Sequence, residues 1–147
     1  MLFRSLSTRK DLKLELESAR RFVHSILRPV DALSLYEFKE TVQELVPFTS
    51  ELARVDRGID RIRPSFGTAL YDAIYLGSQV LENRQGRKVL VVITDGGDTT
   101  SKVKYAEAVR AAQQSEAIVY SIIIVPIEAS AGRNTGGEHA QIGRAHV

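Results

Sequence analysis

A chain of 147 residues suits one domain with a real core, and 44% hydrophobic with 26% charged residues is ordinary for a globular protein. No apolar run approaches the roughly 20 residues of a membrane span, and Met1 to Lys10 has no apolar stretch of signal-peptide type. With no Cys there is no disulfide framework, thiolate nucleophile or Cys-based zinc site, while a formal charge of +2 and a pI near 9.0 invite a nucleic-acid reading.

From Thr8 to Leu27 the residues Leu12, Leu16, Ala19, Val23 and Ile26 recur at steps of three and four, which predicts an amphipathic helix. Thr8 and Asp11 resemble a capping box, and Pro29 stops the helix. Ala32 to Phe38, rich in Leu, Tyr and Phe, reads as a strand. Thr41 to Phe48 reads as a second one, at a sheet edge because of Pro47. Helical spacing returns over Glu51 to Arg63 through Leu52, Val55, Ile59 and Ile62, with Ser50 as cap and Pro64 as stop. A loop at Phe66-Gly67-Thr68 feeds a helix with Leu70, Ala73, Ile74, Gly77 and Leu81 on one face, broken at Asn83 to Gly86. Val89 to Ile93 is a continuous β-branched apolar run, the mark of a strand covered on both faces. After the loop Asp95 to Asp98, a helix is predicted over Ser101 to Ser115 with Tyr105, Ala106, Val109 and Ala112 inward. Ala117 to Val125 then reads as a second fully buried strand. From Glu128 onward no element is predicted.

Strands alternating with helices imply an α/β fold with a mostly parallel sheet, whose ligands bind beyond the carboxyl ends of the strands. Asp95 stands just past a buried strand, and Gly96 and Gly97 let the backbone turn sharply there. Oxygen ligands in that position suit a hard cation such as Mg²⁺. A helix cap or an Asx turn accounts for Asp95 equally well on this loop alone.

Gly67-Thr68-Ala69-Leu70-Tyr71-Asp72-Ala73 and Thr94-Asp95-Gly96-Gly97, in this order and spacing, resemble the von Willebrand factor type A family over about Leu6 to Glu128. The resemblance implies a three-layer α/β/α Rossmann-like fold with an antiparallel edge strand. It also implies a metal-ion-dependent adhesion site in which Thr68 is the hydroxyl ligand and Asp95 the strand-end carboxylate. Asp72 faces away and reads as structural or solvated. The family's third motif, Asp-x-Ser-x-Ser, follows its central first strand. Here Ser5-Leu6-Ser7 supplies Ser5 and Ser7, but Phe3 holds the Asp position and only Met1 and Leu2 precede it. The central first strand is therefore expected to be largely missing, and Mg²⁺ binding weak or absent.

The two ends show a related pattern. Met-Leu-Phe-Arg-Ser can be written as a GTG start followed by CTC TTC CGA TCT. Gln-Ile-Gly-Arg-Ala-His-Val can be written CAG ATC GGA AGA GCA CAC GTC, which contains the reverse complement of the first string; both match a widely used sequencing adapter. Residues 1–5 and 141–147 accordingly read as adapter-derived, 6–128 as a partial domain and 129–140 as an irregular tail. Those ends hold Arg4 and Arg144 and no acid, so the basic count falls from 20 to 18 against 18 acids, and the nucleic-acid reading loses its support.

The function expected is a non-enzymatic protein-binding module whose metal accepts a carboxylate from a protein partner. The alternative is Mg²⁺-dependent phosphotransfer by Asp95 and Asp98, with Lys102 and Lys104 nearby; an exposed helix start explains those lysines as well. Dinucleotide binding lacks a Gly-x-Gly-x-x-Gly turn. His24 reads as an ordinary, partly buried helix residue, and His139 and His146 fall in the tail. Phe48-Thr49-Ser50, Thr68 to Ala73 and Thr94 to Thr100 look most like bacterial members of the family, often exported; the compartment is left open.

Overall fold

The computed structural model describes residues 2–4, 12–94 and 97–123. Its strands are β1 (Leu2–Arg4), β2 (Leu33–Phe38), β3 (Val42–Thr49), β4 (Val89–Thr94) and β5 (Ile118–Ile123). Its helices are α1 (Leu12–Ile26), α2 (Leu52–Ile59), α3 (Leu70–Glu82) and α4 (Tyr105–Gln114). The sheet order is β3-β2-β1-β4-β5, with β3 antiparallel and every other pairing parallel. The expected stub at Leu2 to Arg4 is thus the central strand. It bridges Leu35–Glu37 on one side and Val91–Ile93 on the other, in register, over three residues. Strands β2 and β4 each continue beyond it, through Leu33-Ser34 and Val89-Leu90.

Successive strand residues face opposite sides of a sheet, and the two cores divide accordingly. On one face Leu33, Leu35, Val91 and Ile93 meet Ala19 and Val23 of α1 and Val55 and Ile59 of α2. On the other, Tyr36, Phe38, Leu90 and Val92 meet Ala73 and Leu81 of α3, and α4 packs on α3. Helix α2 lies close to the sheet because Gly58 has no side chain. A Cβ there would fall 2.2 Å from Cγ2 of Val46. Across the α1–α2 seam His24 Nε2 meets Asp56 Oδ1 at 3.0 Å; it is an ordinary helix–helix contact, but His24 is exposed rather than partly buried because it sits at the rim of the seam. No described helix is long and apolar enough to cross a membrane.

Several element boundaries and faces differ from the sequence reading. Helix α2 stops at Ile59 rather than Arg63, because Arg61 and Ile62 turn tightly onto Gly58 and Ile59 while Arg63 N–H donates to Glu37. Ser50 is not its cap; Glu51 holds the cap position, and Thr49 Oγ1 accepts the Glu51 N–H. The Thr8 cap falls outside the described residues. Helix α4 begins at Tyr105, not Ser101, since the intervening residues pair elsewhere. Its inward face is Ala108, Ala111 and Ala112, with Ala106 exposed and Tyr105 66% exposed. Strand β5 is not buried on both faces. It is an outer strand with Ile118, Tyr120 and Ile123 exposed.

Candidate functional site

Strand β1 is the point at which the chain order reverses: β2 lies on one side and β4 on the other, with α1 on one face and α3 and α4 on the opposite face. The carboxyl ends of β1 and β4 therefore meet at the place where open sheets of this kind bind ligands. Thr68 reaches this end because α3 runs back from it. The residue is only 7% exposed. Its N–H donates to Thr99 Oγ1 at 2.9 Å, and its carbonyl accepts Thr99 N–H at 2.9 Å and Thr100 N–H at 3.3 Å. Ala69 N–H and the Thr100 hydroxyl both donate to the Lys39 carbonyl, at 2.6 and 3.3 Å, joining the β2–β3 turn to the same corner. The Gly-Thr loop and the loop after β4 are thus brought together. Ser5, Ser7 and Asp95 lie outside the described residues.

The first N–H groups of a helix have no partner within it and need acceptors. Ala69, at the cap of α3, has none to offer in its side chain. The acceptors come from a distant part of the chain instead. Asp98 Oδ1 accepts Tyr71 N–H at 3.2 Å, and Ser101 Oγ accepts Asp72 N–H at 3.0 Å while donating to Asp98. Asp72 reciprocates by accepting Lys102 N–H at 3.0 Å and Val103 N–H at 2.8 Å. It has the structural role its helix position suggested. Lys104 N–H donates to Glu107 Oε2 at 2.9 Å, closing the first turn of α4. Tyr71 and Tyr105 meet edge to face with ring centres 5.7 Å apart, so the two helix starts also touch through their rings.

Two carboxylates that the sequence reading did not single out fix the approach to Thr68. Buried Glu37 accepts Arg63 N–H at 2.9 Å and pairs with Lys39 Nζ at 2.9 Å. Glu40 accepts the Ser65 hydroxyl at 3.1 Å and Gly67 N–H at 3.2 Å. Its own backbone N–H, followed by the Ser65 hydroxyl, holds the Glu40 carboxyl below the usual range. A Cβ on Gly67 would fall 2.8 Å from Glu40 Cγ, so glycine permits this closeness. Between these anchored neighbours Phe66 is 98% exposed. Its one sequence signal is a large aromatic in a loop with no periodic partner. Among the described residues no group of three His, Cys, Asp or Glu could hold a metal ion.

The family model of the von Willebrand factor type A domain matches residues 3–97, well over half of the chain. Among solved structures, the conserved hypothetical protein BatB from Bacteroides thetaiotaomicron superposes with a TM-score of 0.63 at 22% identity, covering 82% of this chain and 63% of that one. An aerotolerance-related membrane protein from Bacteroides fragilis, carrying multiple mutations to serines, gives 0.66 at 21% identity, covering 97% and 77%. The von Willebrand factor type A structure from Catenulispora acidiphila gives 0.66 at 16% identity, covering 82% and 31%. At these identities the likeness is one of fold. The chain spans less than two thirds of the length of the BatB and Catenulispora structures. No curated protein matches the sequence.

Proposed function

We propose that this chain, which belongs to the von Willebrand factor type A domain family, contacts a protein partner at the carboxyl end of its sheet. The family consists generally of adhesion and protein-interaction modules. In this reading a divalent cation, Mg²⁺ in the first instance, is held by Thr68 and Asp95 with Ser5 and Ser7, and a carboxylate of the partner completes its coordination. The observation that carries the reading is the double backbone tie between Thr68 and Thr99–Thr100, which keeps the Gly-Thr loop against the loop that follows Thr94. Phe66, exposed beside Thr68 between anchored neighbours, offers an aromatic surface of the kind enriched at protein interfaces.

The donor set has the hard-oxygen chemistry that Mg²⁺ requires, but three of its four members are neutral hydroxyls and Phe3 stands at the second carboxylate position. Occupancy at physiological concentration is therefore low. Loss of such a group weakens affinity by about 10- to 100-fold, by analogy with second-shell losses. Calorimetry should find no submillimolar Mg²⁺ binding by the chain as written. A version carrying Phe3→Asp after a full-length first strand should bind, and Asp95→Ala in that version should abolish it. Submillimolar binding by the unaltered chain, or a restored chain indifferent to Asp95→Ala, refutes the reading.

The phosphotransfer alternative needs Asp98 free to face a substrate. Its hydrogen bonds to Tyr71 N–H and the Ser101 hydroxyl make it a brace for the start of α3, which favours binding over catalysis. Metal-dependent hydrolysis of p-nitrophenyl phosphate that disappears in Asp98→Asn would reverse that preference.

A further inference from the structure

Away from the sheet's carboxyl end, a shallow, open cleft of about 550 Å³ lies between β3 and α2. Its floor is Leu45, Val46 and Pro47, and its wall carries Arg54, Arg57 and Arg61. Steps of three and four put these arginines on one side of the helix and the turn that continues it. The remaining lining residue, Asp60, is taken by Arg20 of α1 at 2.5 Å, so the cleft keeps an excess of positive charge. Arg54 is only loosely engaged, its Nε 3.7 Å from Glu51. Among the described residues Arg57 has no hydrogen-bond or ionic partner. Arg61 is held in place: its Nη2 donates to the Leu45 carbonyl at 2.5 Å. That contact takes up the Leu45 carbonyl, and Pro47 has no N–H to give, so this stretch of β3 is poorly suited to pairing with an added strand.

We propose that this cleft docks an acidic segment of a partner protein through its side chains, with carboxylates on Arg57 and its two neighbours and an apolar residue on the Leu45–Pro47 floor. Guanidinium groups pair carboxylates in bidentate fashion, which matches charge and geometry together. The apolar floor and the short span of the arginines favour a peptide over a nucleic acid. The site owes nothing to the metal reading above.

The test is fluorescence anisotropy with a labelled ten-residue peptide of alternating Glu and Leu, run with EDTA present. The comparison probes are the same peptide with a central proline, its Lys–Leu counterpart, and a single-stranded DNA competitor. Binding should be saturable, equal for the proline version and absent for the Lys–Leu version. Arg57→Glu should weaken it by about ten-fold, the scale of one charged hydrogen-bonding pair. Because Arg57 is exposed and without a described partner, circular dichroism should show that variant folded. Arg54→Glu is the second variant, should Arg57→Glu fail that check. Equal binding by wild type and a folded Arg57→Glu or Arg54→Glu protein overturns the proposal. So does equal binding of the Lys–Leu peptide, loss of binding on inserting proline, or displacement by DNA at lower concentration than by unlabelled peptide.

Discussion

Strands β3 and β5 end the same sheet on opposite sides, and their surroundings differ in nearly every respect. Beside β3, α2 packs so closely that Gly58 touches Val46, and Arg61 occupies the Leu45 carbonyl. The β2–β3 turn is tied through Lys39 and Glu40 to the Thr68 loop. On β5, Ile118, Tyr120 and Ile123 are exposed, the last at 69%, and among the described residues no strand pairs its outer side. An outer strand offers unpaired backbone groups to other chains unless something blunts it. Polar contacts and a proline blunt β3; the pattern of β5 contains neither. The comparison teaches that an apolar run states what a strand is able to bury, while its neighbours decide what it does bury.

The largest effect should come from breaking the guarded side at its tightest contact. In Gly58→Ala the new methyl meets Val46 Cγ2, which a β-branched side chain cannot readily swing away, and Leu35 Cδ2 at 3.0 Å. Alanine improves helix propensity by about 1 kcal/mol, but overpacking typically costs about 1–3 kcal/mol. Because the added Cβ would fall only 2.2 Å from Val46 Cγ2, the cost lies toward the top of that range, about 2–3 kcal/mol, and a net loss of about 1–2 kcal/mol is expected in urea unfolding. A neutral or stabilising result would show that α2 is free to lift from β3.

A smaller effect should follow from Arg61→Ala, which frees the Leu45 carbonyl at an exposed edge. One such hydrogen bond contributes about 0.5–1.5 kcal/mol. The same change should raise light scattering over time, because it unblocks β3. On the other side, Tyr120→Lys with Ile123→Lys should leave stability within about 0.5 kcal/mol, as exposed substitutions do, while lowering scattering. If Arg61→Ala scatters no more than wild type and the double lysine variant no less, the edges do not govern association.

These contrasts also mark how far the sequence could be read. The runs Ala32–Phe38 and Val89–Ile93 and the stripe from Leu12 to Ile26 carry their periods locally, so β2, β4 and α1 were legible, as was the central position of Leu2–Arg4 once the family pattern was seen. The start of α4 was not. Ser101 to Val103 continue a helical pattern, but Asp72 draws that stretch into pairings some 30 residues distant, which no local spacing records. The meeting of the Thr68 loop with the loop after β4 was legible from the order of their motifs, while a metal role for Thr68 remains the proposal above. Glu37 and Glu40 were not legible, because an acid at a strand end looks solvated until the chain returning from α2 delivers N–H groups to it. Strand β5 misled for the reason its exposure gives: burial depends on what covers it.

The smallest effect concerns the tie between the guarded side and the Thr68 loop. The folded Glu40 carboxyl lies below its unfolded value, chiefly through its own N–H and the Ser65 hydroxyl. The unfolded chain therefore binds a proton more readily at this residue, and stability from it rises with pH. It is fully present above the unfolded value, roughly 4.3, and is lost as pH falls through the folded one. Asp31, lowered by its hydrogen bond with Arg28, changes in the same direction and needs a control. Urea unfolding of wild type, Glu40→Gln and Asp31→Asn at pH 6 and at pH 3 separates the two. Glu40→Gln should be slightly less stable than wild type at pH 6, with the deficit and the extra hydrogen exchange at Gly67 both smaller at pH 3. An equal deficit at both values would mean that the carboxylate's shape, not its charge, holds the loop beside Thr68.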